Sequence, residues 1–173
     1  WPLVLVRHAH AVARGEWSGA DPLRPLSAEG ERRSAALVPV LSAYGVSRVL
    51  TSPSERCLRT VEPFTDAAGV RLRTRTGLSE EGFEADPRTA PAHLGRLLDR
   101  GEPAVLCTHG PVLPSLLDDL EGRLDLDQPA SVEIIEEFAE ARDDRLAKGE
   151  ALVCNVVGSG DDARIVAVER HLP

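Results

Sequence analysis

The chain of 173 residues lacks any apolar run long enough to cross a membrane. A spanning helix needs about 20 consecutive apolar residues, and no run here approaches that length. The N-terminal region also lacks the pattern of a secretory signal, because Arg14, Glu16 and Arg24 place charges early in the chain. We therefore expect a cytoplasmic protein that has no membrane partner.

Cysteine is scarce, and its spacing disfavours the common zinc-binding frameworks. The three cysteines, Cys57, Cys107 and Cys154, lie far apart, and no C-x-x-C pair is present. Cys107 and Cys154 fall in apolar, strand-like segments, where cysteine behaves as a small hydrophobic residue. We predict three reduced thiols, as is usual in a cytoplasmic protein.

Lysine is almost absent, and basic residues are outnumbered by acidic ones. Of 20 basic residues Lys148 is the single lysine, and 28 acidic residues give a formal net charge of −8. A general surface for a nucleic-acid polymer or an anionic membrane needs basic patches, which this balance disfavours. Individual arginines remain of interest, because a planar guanidinium binds a phosphate group through two parallel hydrogen bonds.

Methionine is missing altogether, and residue 1 is Trp. A complete translation product would begin with methionine, so we expect either a trimmed protein or one domain of a longer one, such as a C-terminal domain. The sequence shows no repeat, low-complexity segment or interdomain linker. The predicted organisation is a single domain over residues 1–173, which is long enough to bury a substantial core.

Short apolar segments alternate with helical segments, which predicts an α/β fold. We expect a three-layer sandwich, in which helices flank a mostly parallel central sheet with an antiparallel edge near the C-terminus. We predict an acidic loop at residues 77–87, a hairpin turn at 158–162, and a kink or break at Pro39. The predicted strands are 3–6, 48–51, 70–74, 104–108, 151–157 and 165–169, and the predicted helices are 27–44, 52–68, 91–100, 111–120 and 133–147.

Three predicted strands are followed by residues suited to phosphate chemistry. Arg7 and His8 follow the first strand, Arg56 lies in the first turn of the helix after the second, and His109 and Gly110 follow the fourth. Ligands of open α/β sheets bind beyond the carboxyl ends of the strands, so these residues should meet. Arginines can neutralise phosphoryl oxygens while an imidazole nitrogen attacks the phosphorus in line.

A carboxylic acid beside the leaving oxygen would complete such a site. Glu80 or Glu81, in the acidic loop, is the candidate. An alternative is that His8 and His10 form the H-x-H pair of a metal-dependent hydrolase. That class is usually a β/α barrel of about 250 residues with further histidines at strand ends, and this chain is shorter. We therefore predict no metal and no cofactor.

Four motifs occur in a characteristic order: Arg7-His8-Ala9, Ser52-Pro53-Ser54-Glu55-Arg56, Leu78-Ser79-Glu80 and Thr108-His109-Gly110. With them the chain resembles the histidine phosphatase superfamily, which includes the phosphoglycerate mutase and acid phosphatase branches, from residue 3 to about residue 121. The resemblance implies that His8 is the nucleophile that becomes phosphohistidine and that Glu80 is the general acid. It also implies that Arg7, Arg56 and His109 hold the phosphoryl oxygens and that no metal is required.

Further segments indicate the branch. Mutase-like members carry Gly-Glu-Ser after the Arg-His pair, and Ala9-His10-Ala11 stands here, so mutase activity is not expected. The segment 21–30 resembles the small phosphohistidine phosphatases. Trp17, the run 56–60 and the ending 165–171 are similar to the histidine phosphatase domain of MutT-like proteins, in which a Nudix domain comes first. Those proteins sanitise oxidised guanine nucleotides, and no Nudix signature occurs in this chain.

The expected function is therefore a metal-independent phosphatase for a small phosphorylated substrate, such as an oxidised guanosine diphosphate. The alternatives are a protein phosphohistidine phosphatase and a non-catalytic nucleotide-binding module that regulates a fused or partner domain, for instance an N-terminal Nudix domain. We expect Arg24, Gly110 and Glu81 to contribute to substrate binding. Arg24 is also expected to order its loop by pairing with Asp21.

Overall fold

The structure is a computed structural model and describes residues 1–127, 129, 131–143 and 146–173. Its strands are β1 (Pro2–Arg7), β2 (Arg48–Thr51), β3 (Leu72–Thr74), β4 (Ala104–Thr108), β5 (Ala151–Val157) and β6 (Arg164–His171). Its α-helices are α1 (Ala28–Ala43), α2 (Glu55–Ala68), α3 (Glu80–Ala85), α4 (Thr89–Arg100), α5 (Leu113–Glu121) and α6 (Ser131–Asp143).

The strands form one six-stranded sheet in the order β3-β2-β4-β1-β5-β6. Strands β3, β2, β4 and β1 run parallel, β5 pairs antiparallel with β1, and β6 pairs antiparallel with β5 at the edge of the sheet. The predicted mostly parallel sheet with an antiparallel C-terminal edge is thereby confirmed. Arg7 of β1 pairs in register with Thr108 of β4, so His8 and His109 leave the sheet side by side.

Two apolar layers cover the two faces of the sheet. Along β1, Leu3 and Leu5 belong to one core cluster and Val4 and Val6 to the other, and all four side chains are fully buried. Residues of α4, α5 and α6 complete the first cluster, and residues of α1 and α2 complete the second. Helices therefore cover both faces of the sheet, which confirms the predicted three-layer sandwich. Burial on both faces also explains why β1 is apolar at consecutive positions.

The start of α1 is tied to the chain that leaves β1. Ser27 caps the helix, since its side chain accepts from the Gly30 N–H at 3.2 Å. The Ser27 N–H and hydroxyl both donate to the carbonyl of His10, at 2.9 and 3.2 Å. A Cβ on Gly30 would stand 1.9 Å from that same oxygen, so only glycine allows the approach. The helix therefore fixes the path of the segment that follows Arg7 and His8.

Two helices that open at the site begin later than predicted. Helix α2 begins at Glu55 rather than at Pro53, the predicted first helical position after a Ser52 cap, because the Ser52 hydroxyl accepts from the Ser54 N–H at 3.2 Å in a turn before the helix. Helix α5 begins at Leu113 rather than Pro111, after a turn in which the N–H groups of Val112 and Leu113 donate to the carbonyl of His109. In both cases a tight turn separates the strand from the helix.

The predicted acidic loop at residues 77–87 is wrong. The chain forms a 3-10 turn at Thr76–Leu78 and then α3. Ser79 caps α3 by accepting from the Gly82 N–H at 3.0 Å, and the acidic residues Glu80 and Glu81 lie in its first turn, where the helix dipole stabilises them. Serine followed by two glutamates is a helix-start signal in the sequence.

Other boundaries also differ from prediction. Helices α1 and α2 continue through Pro39 and Pro63, so the predicted break at Pro39 is wrong. Helix α6 ends at Asp143, and Leu146 and Ala147 are not helical, so the predicted end at residue 147 is wrong; residues 144 and 145 lie outside the described residues. The turn at 158–162 does join β5 to β6, and it contains a 3-10 turn at Gly160–Asp162.

The three cysteines are unpaired and buried, as expected. None of the described helices combines the length and the apolar character that a bilayer-spanning segment needs.

Candidate active site

Two histidines face each other where β1 and β4 end. The imidazole centroids of His8 and His109 lie 5.1 Å apart with their planes at 64°. His8 is 6% exposed and His109 is fully buried. The parallel register of β1 and β4 produces this pair, since each histidine directly follows the last residue of its strand.

The His8 ring is oriented so that one nitrogen faces the cleft. Its Nδ1 lies 2.8 Å from the carbonyl of Ala9, and a tautomer with the proton on Nδ1 donates to that oxygen. The Ala9 N–H donates to the Thr60 hydroxyl at 2.9 Å, and that hydroxyl donates to the carbonyl of Arg56 at 2.6 Å. This chain of hydrogen bonds fixes the ring and leaves the lone pair of Nε2 available to attack an electrophile.

Burial keeps His8 neutral. It is the largest cause of a His8 pKa lowered from 6.5 to about 3, and the neighbouring His109, Arg56 and Arg7 lower it further. The hydrogen bond to Ala9 acts in the opposite direction and is outweighed. A neutral imidazole is the form that can act as a nucleophile, so His8 is in its reactive form at neutral pH.

The lowered His8 pKa predicts that stability falls with acidification. The unfolded chain takes up a proton at this histidine near pH 6.5, and the folded chain takes one up only near pH 3. The contribution of His8 to the free energy of unfolding is therefore fully present above pH 6.5 and is lost as the pH falls from 6.5 towards 3. Between about pH 7 and pH 5 we expect His8 to remove roughly 2 kcal/mol of unfolding free energy.

Urea denaturation of the wild type and of the His8→Asn variant at those two pH values measures this contribution. Asparagine does not titrate, so the variant should lose roughly 2 kcal/mol less than the wild type on acidification. Equal losses in the two proteins would contradict a depressed His8 pKa.

Arg56 is fully buried and its guanidinium connects two carboxylates. Its Nη2 lies 3.2 Å from Oε1 of Glu80, and its Nη1 lies 3.1 Å from Oδ2 of Asp21. Nη1 also donates to the backbone carbonyl of Asp21 at 2.8 Å. Arg56 comes from the first turn of α2, as predicted. Asp21 belongs to the segment 21–30, which resembles the small phosphohistidine phosphatases, but the sequence alone does not indicate its pairing with Arg56.

The Glu80 carboxylate contacts one histidine and two arginines. Its Oε1 is 3.2 Å from Nδ1 of His109 and 3.2 Å from Nη2 of Arg56, and its Oε2 is 3.5 Å from Nη2 of Arg14. The close contact with Nδ1 of His109 is the main cause of a Glu80 pKa lowered from 4.5 to about 2, and Arg56 adds to it against the effect of burial. In the free protein Glu80 is therefore ionised, close to where phosphoryl oxygens would bind His109 and Arg56.

His109 has a different partner on each ring nitrogen. Nδ1 faces Glu80, and Nε2 lies 2.9 Å from the Ser52 hydroxyl and 3.4 Å from the Cys57 sulfur. Burial lowers the pKa of His109 more than its contact with Glu80 raises it. The tautomer protonated on Nδ1 can donate a hydrogen bond into the cleft.

Arg7 is enclosed by the segment that leads into β5. Nη1 of the Arg7 side chain donates to the carbonyl of Leu146 at 2.7 Å. The backbone N–H of Arg7 donates to the carbonyl of Glu150, and the backbone carbonyl of Arg7 accepts from the Gly149 N–H. Buried Leu146 has a φ of 47°, a left-handed backbone that costs about 1 kcal/mol or more for a residue with a Cβ. A Cβ on Gly110 would stand 2.9 Å from Nη2 of Arg7, so glycine makes room for the guanidinium.

The other residues proposed from sequence lie around this centre in different ways. Glu80 lies in the site, whereas Glu81 is exposed one residue further along α3. Arg24 lines the cleft, but its Nε donates to Asp21 at 2.9 Å and its Nη1 to the carbonyl of Val12 at 2.8 Å. The predicted pairing of Arg24 with Asp21 is present. Nδ1 of His10 lies 3.7 Å from Oε1 of Glu29.

A cleft of about 470 Å³ opens beside His8. This volume lies in the range of ordinary small-molecule sites. Arg14 and Lys148, the single lysine, also line it, and neither was proposed as a site residue from sequence. The rarity of lysine was a signal for Lys148, but no motif connects it to the cleft. The ionisable residues that line it are Arg7, His8, Arg14, Arg24, Glu80 and Lys148.

His8, Glu80 and His109 each present a potential ligand atom, and these atoms lie within 4.8 Å of one another. Such a trio is small enough to surround a metal ion. However, Nη2 of Arg56 is 3.2 Å from the same Glu80 oxygen that faces His109, and a buried guanidinium repels a cation there. His10 does not belong to this group, so the H-x-H pair of the metal alternative is not brought together.

The chain belongs to the histidine phosphatase superfamily, since residues 3–91 match branch 1 of it. The predicted phosphoric ester hydrolase class agrees with this membership and with the phosphatases among its relatives. One of them is the 8-oxo-(d)GTP phosphatase of Mycolicibacterium smegmatis, which is 32% identical over 116 residues. That match covers 67% of this chain and 36% of the relative's length, so the chain corresponds to about a third of that protein.

Solved structures share the fold at low identity. The protein histidine phosphatase SixA complexed with tungstate has a TM-score of 0.67 at 20% identity, covering 97% of this chain and 96% of that one. A mycobacterial glucosyl-3-phosphoglycerate phosphatase complexed with VO3 has a TM-score of 0.64 at 15% identity, covering 98% and 96%. These likenesses confirm the phosphoglycerate mutase-like architecture.

Proposed function

We propose that this protein is a metal-independent phosphatase that works through a phosphohistidine at His8. The observation that carries the proposal is the convergence of neutral His8, Arg7, Arg56, His109 and Glu80 at the ends of the parallel strands. A nucleophile, cationic groups and a carboxyl group are the parts that phosphoryl transfer needs.

In the first step Nε2 of His8 attacks phosphorus in line, and a P–N bond forms as the P–O bond to the leaving group breaks. Arg56 and Arg7 neutralise the phosphoryl oxygens, and Nδ1–H of His109 donates to one of them. Protonated Glu80 gives its proton to the leaving oxygen. In the second step Glu80 takes a proton from water as that water attacks phosphorus, and the P–N bond breaks to restore neutral His8.

The charge around Glu80 explains how it gains the proton it must donate. In the free protein His109 and Arg56 hold its pKa at about 2. A phosphoryl group bound to these same two residues replaces the carboxylate as their partner and adds negative charge beside it. Both changes raise the Glu80 pKa, because an anion next to a carboxylate disfavours its ionisation.

For the substrate we propose an oxidised guanine nucleotide, with the diphosphate as the first candidate. The 32% identity to an 8-oxo-(d)GTP phosphatase supports this choice. Arg14 and Lys148 line the same cleft as His8 and supply cations for a second phosphate. We also propose a cytoplasmic site of action, where the three buried thiols stay reduced, and an N-terminal Nudix domain in the full-length protein.

Comparison of kcat/KM on three substrates in EDTA tests the proposal. We expect turnover of 8-oxo-guanosine diphosphate at least tenfold more efficient than that of p-nitrophenyl phosphate. Faster turnover of a phosphohistidine protein would favour a protein phosphohistidine phosphatase. Nucleotide binding without turnover of any of the three would favour a regulatory module, and loss of activity in EDTA would contradict the metal-free mechanism.

Replacing Glu80 with glutamine should slow turnover in proportion to how much the leaving group needs a proton. With a phosphoanhydride or alkyl ester we expect kcat to fall by about 10²-fold or more, because general acid catalysis contributes that much. With p-nitrophenyl phosphate the burst of nitrophenolate, which measures the first step, should be nearly unaffected, since nitrophenolate leaves without protonation; the second step, in which Glu80 is the base, should slow for both substrates. Glu81→Gln, an exposed change on the same helix, is the control and should leave both rates within about twofold. The opposite ranking would assign the acid to Glu81.

A further inference from the structure

A second cavity, of about 250 Å³, lies away from the catalytic cleft and shares no lining residue with it. It is bounded by β2 and β3 on one side and by α4 on the other. We name it the arginine pocket after the basic residues that line it, which are Arg48, Arg73, Arg75, His93, Arg96 and Arg100. Leu50 and Leu97, both nearly buried, also line it.

The positive charge of the arginine pocket is largely uncompensated. Arg48 donates to Glu102 at 2.8 Å. In the part of the chain that the structure describes, the other four arginines have no carboxylate within 4.0 Å. The pKa of Arg73 is lowered, chiefly by the nearby charge of Arg71 and also by other arginines of the pocket. A chain with a net charge of −8 therefore concentrates like charges around one concavity.

Two hydrogen bonds orient N–H donors of the side chains that line the arginine pocket. Nη1 of Arg96 lies 3.1 Å from Nδ1 of His93, so the ring accepts there and carries its proton on Nε2. Nη1 of Arg75 donates to the carbonyl of Thr74 at 2.8 Å, which orients that guanidinium. Burial and the nearby Arg96 and Arg75 lower the pKa of His93, in agreement with a neutral ring that both donates and accepts.

We propose that the arginine pocket binds an oligophosphate group, independently of the phosphatase reaction. Guanidinium groups pair with phosphate oxygens through parallel hydrogen bonds, and a multiply charged anion removes the repulsion among them. The volume suits a chain of a few phosphates. The group can come from a free oligophosphate or from the phosphate chain of a nucleotide.

Backbone amide NMR of the whole chain, titrated with tripolyphosphate, tests the proposal by location. We expect the signals of residues 72–75 and 93–100 to shift with one saturating curve, separately from any shift near His8 and Gly110. The paired change Arg73→Ala and Arg100→Ala should weaken this binding at least tenfold, and p-nitrophenyl phosphate turnover should be unchanged. The control Arg32→Ala with Arg142→Ala removes the same charge elsewhere and should keep the wild-type affinity.

A parallel titration with guanosine triphosphate identifies the source of the phosphates. Tighter binding than tripolyphosphate at the same signals assigns a nucleotide, and equal or weaker binding assigns a free oligophosphate. Shifts confined to the catalytic cleft, or unchanged affinity in the Arg73 and Arg100 variant, would overturn the proposal. Thermal unfolding verifies that this variant is folded, and in the absence of anions its Tm should equal or exceed that of the wild type, since repulsion is removed.

Discussion

Replacing His8 with alanine should reduce kcat for p-nitrophenyl phosphate by at least about 10⁴-fold, the scale seen when a nucleophile is removed. The lone pair of Nε2 is lost, and among the described residues that line the cleft there is no second histidine to replace it. His109 cannot substitute without movement, because its Nδ1 faces Glu80 and its Nε2 faces Ser52. Steady-state rates of purified proteins at equal concentration provide the measurement.

The matched control for this change is His10→Ala. His10 is two residues away, contacts Glu29 and does not line the catalytic cleft, so its removal should change kcat less than about threefold. Acid quenching during turnover should trap a phosphorylated wild-type protein with the lability of phosphohistidine, and His8→Ala should trap none. A folded His8→Ala protein that keeps more than a tenth of the wild-type rate would exclude His8 as the nucleophile.

The sequence predicted the centre of the site because local patterns determine it. Apolar runs that end in Arg7-His8 and Thr108-His109 identify two buried strands, and parallel pairing in register places the two histidines together. Arg56 was predicted for the same reason, since it follows a strand and a turn. Each of these motifs depends on residues within a few positions of one another, which sequence patterns report well, and the general rule that ligands bind at the carboxyl ends of parallel strands supplies their convergence.

The surroundings of the centre depend on contacts between distant segments, which local patterns do not report. Asp21 reaches Arg56 across 35 positions, and Leu146 reaches Arg7 across 139. Lys148 enters the cleft because the chain before β5 folds back over β1. The arginine pocket likewise needs β2, β3 and α4 to be packed together before its charges become neighbours.

Replacing Arg56 with alanine should lower kcat/KM for p-nitrophenyl phosphate by about 10³-fold, because one clamp of the phosphoryl oxygens is removed from a buried position. The same change should also cost stability. Arg56 is fully buried, and its loss leaves a cavity and removes one cationic partner from each of the carboxylates of Asp21 and Glu80. Breaking a fully buried ion pair costs about 3–5 kcal/mol, but these two carboxylates are partly exposed, so we expect roughly 2 kcal/mol.

Arg59→Ala is the control for this change, since Arg59 lies one turn further along α2, is exposed, and pairs with Glu55 and Glu62 on the surface. Its loss should leave the stability nearly unchanged and kcat/KM within about twofold. Arg56→Lys keeps the charge but cannot contact Asp21 and Glu80 through two planar nitrogens, so its activity should fall between wild type and Arg56→Ala. Wild-type activity in folded Arg56→Ala would show that Arg56 organises the loop around Asp21 and does not bind the phosphoryl group.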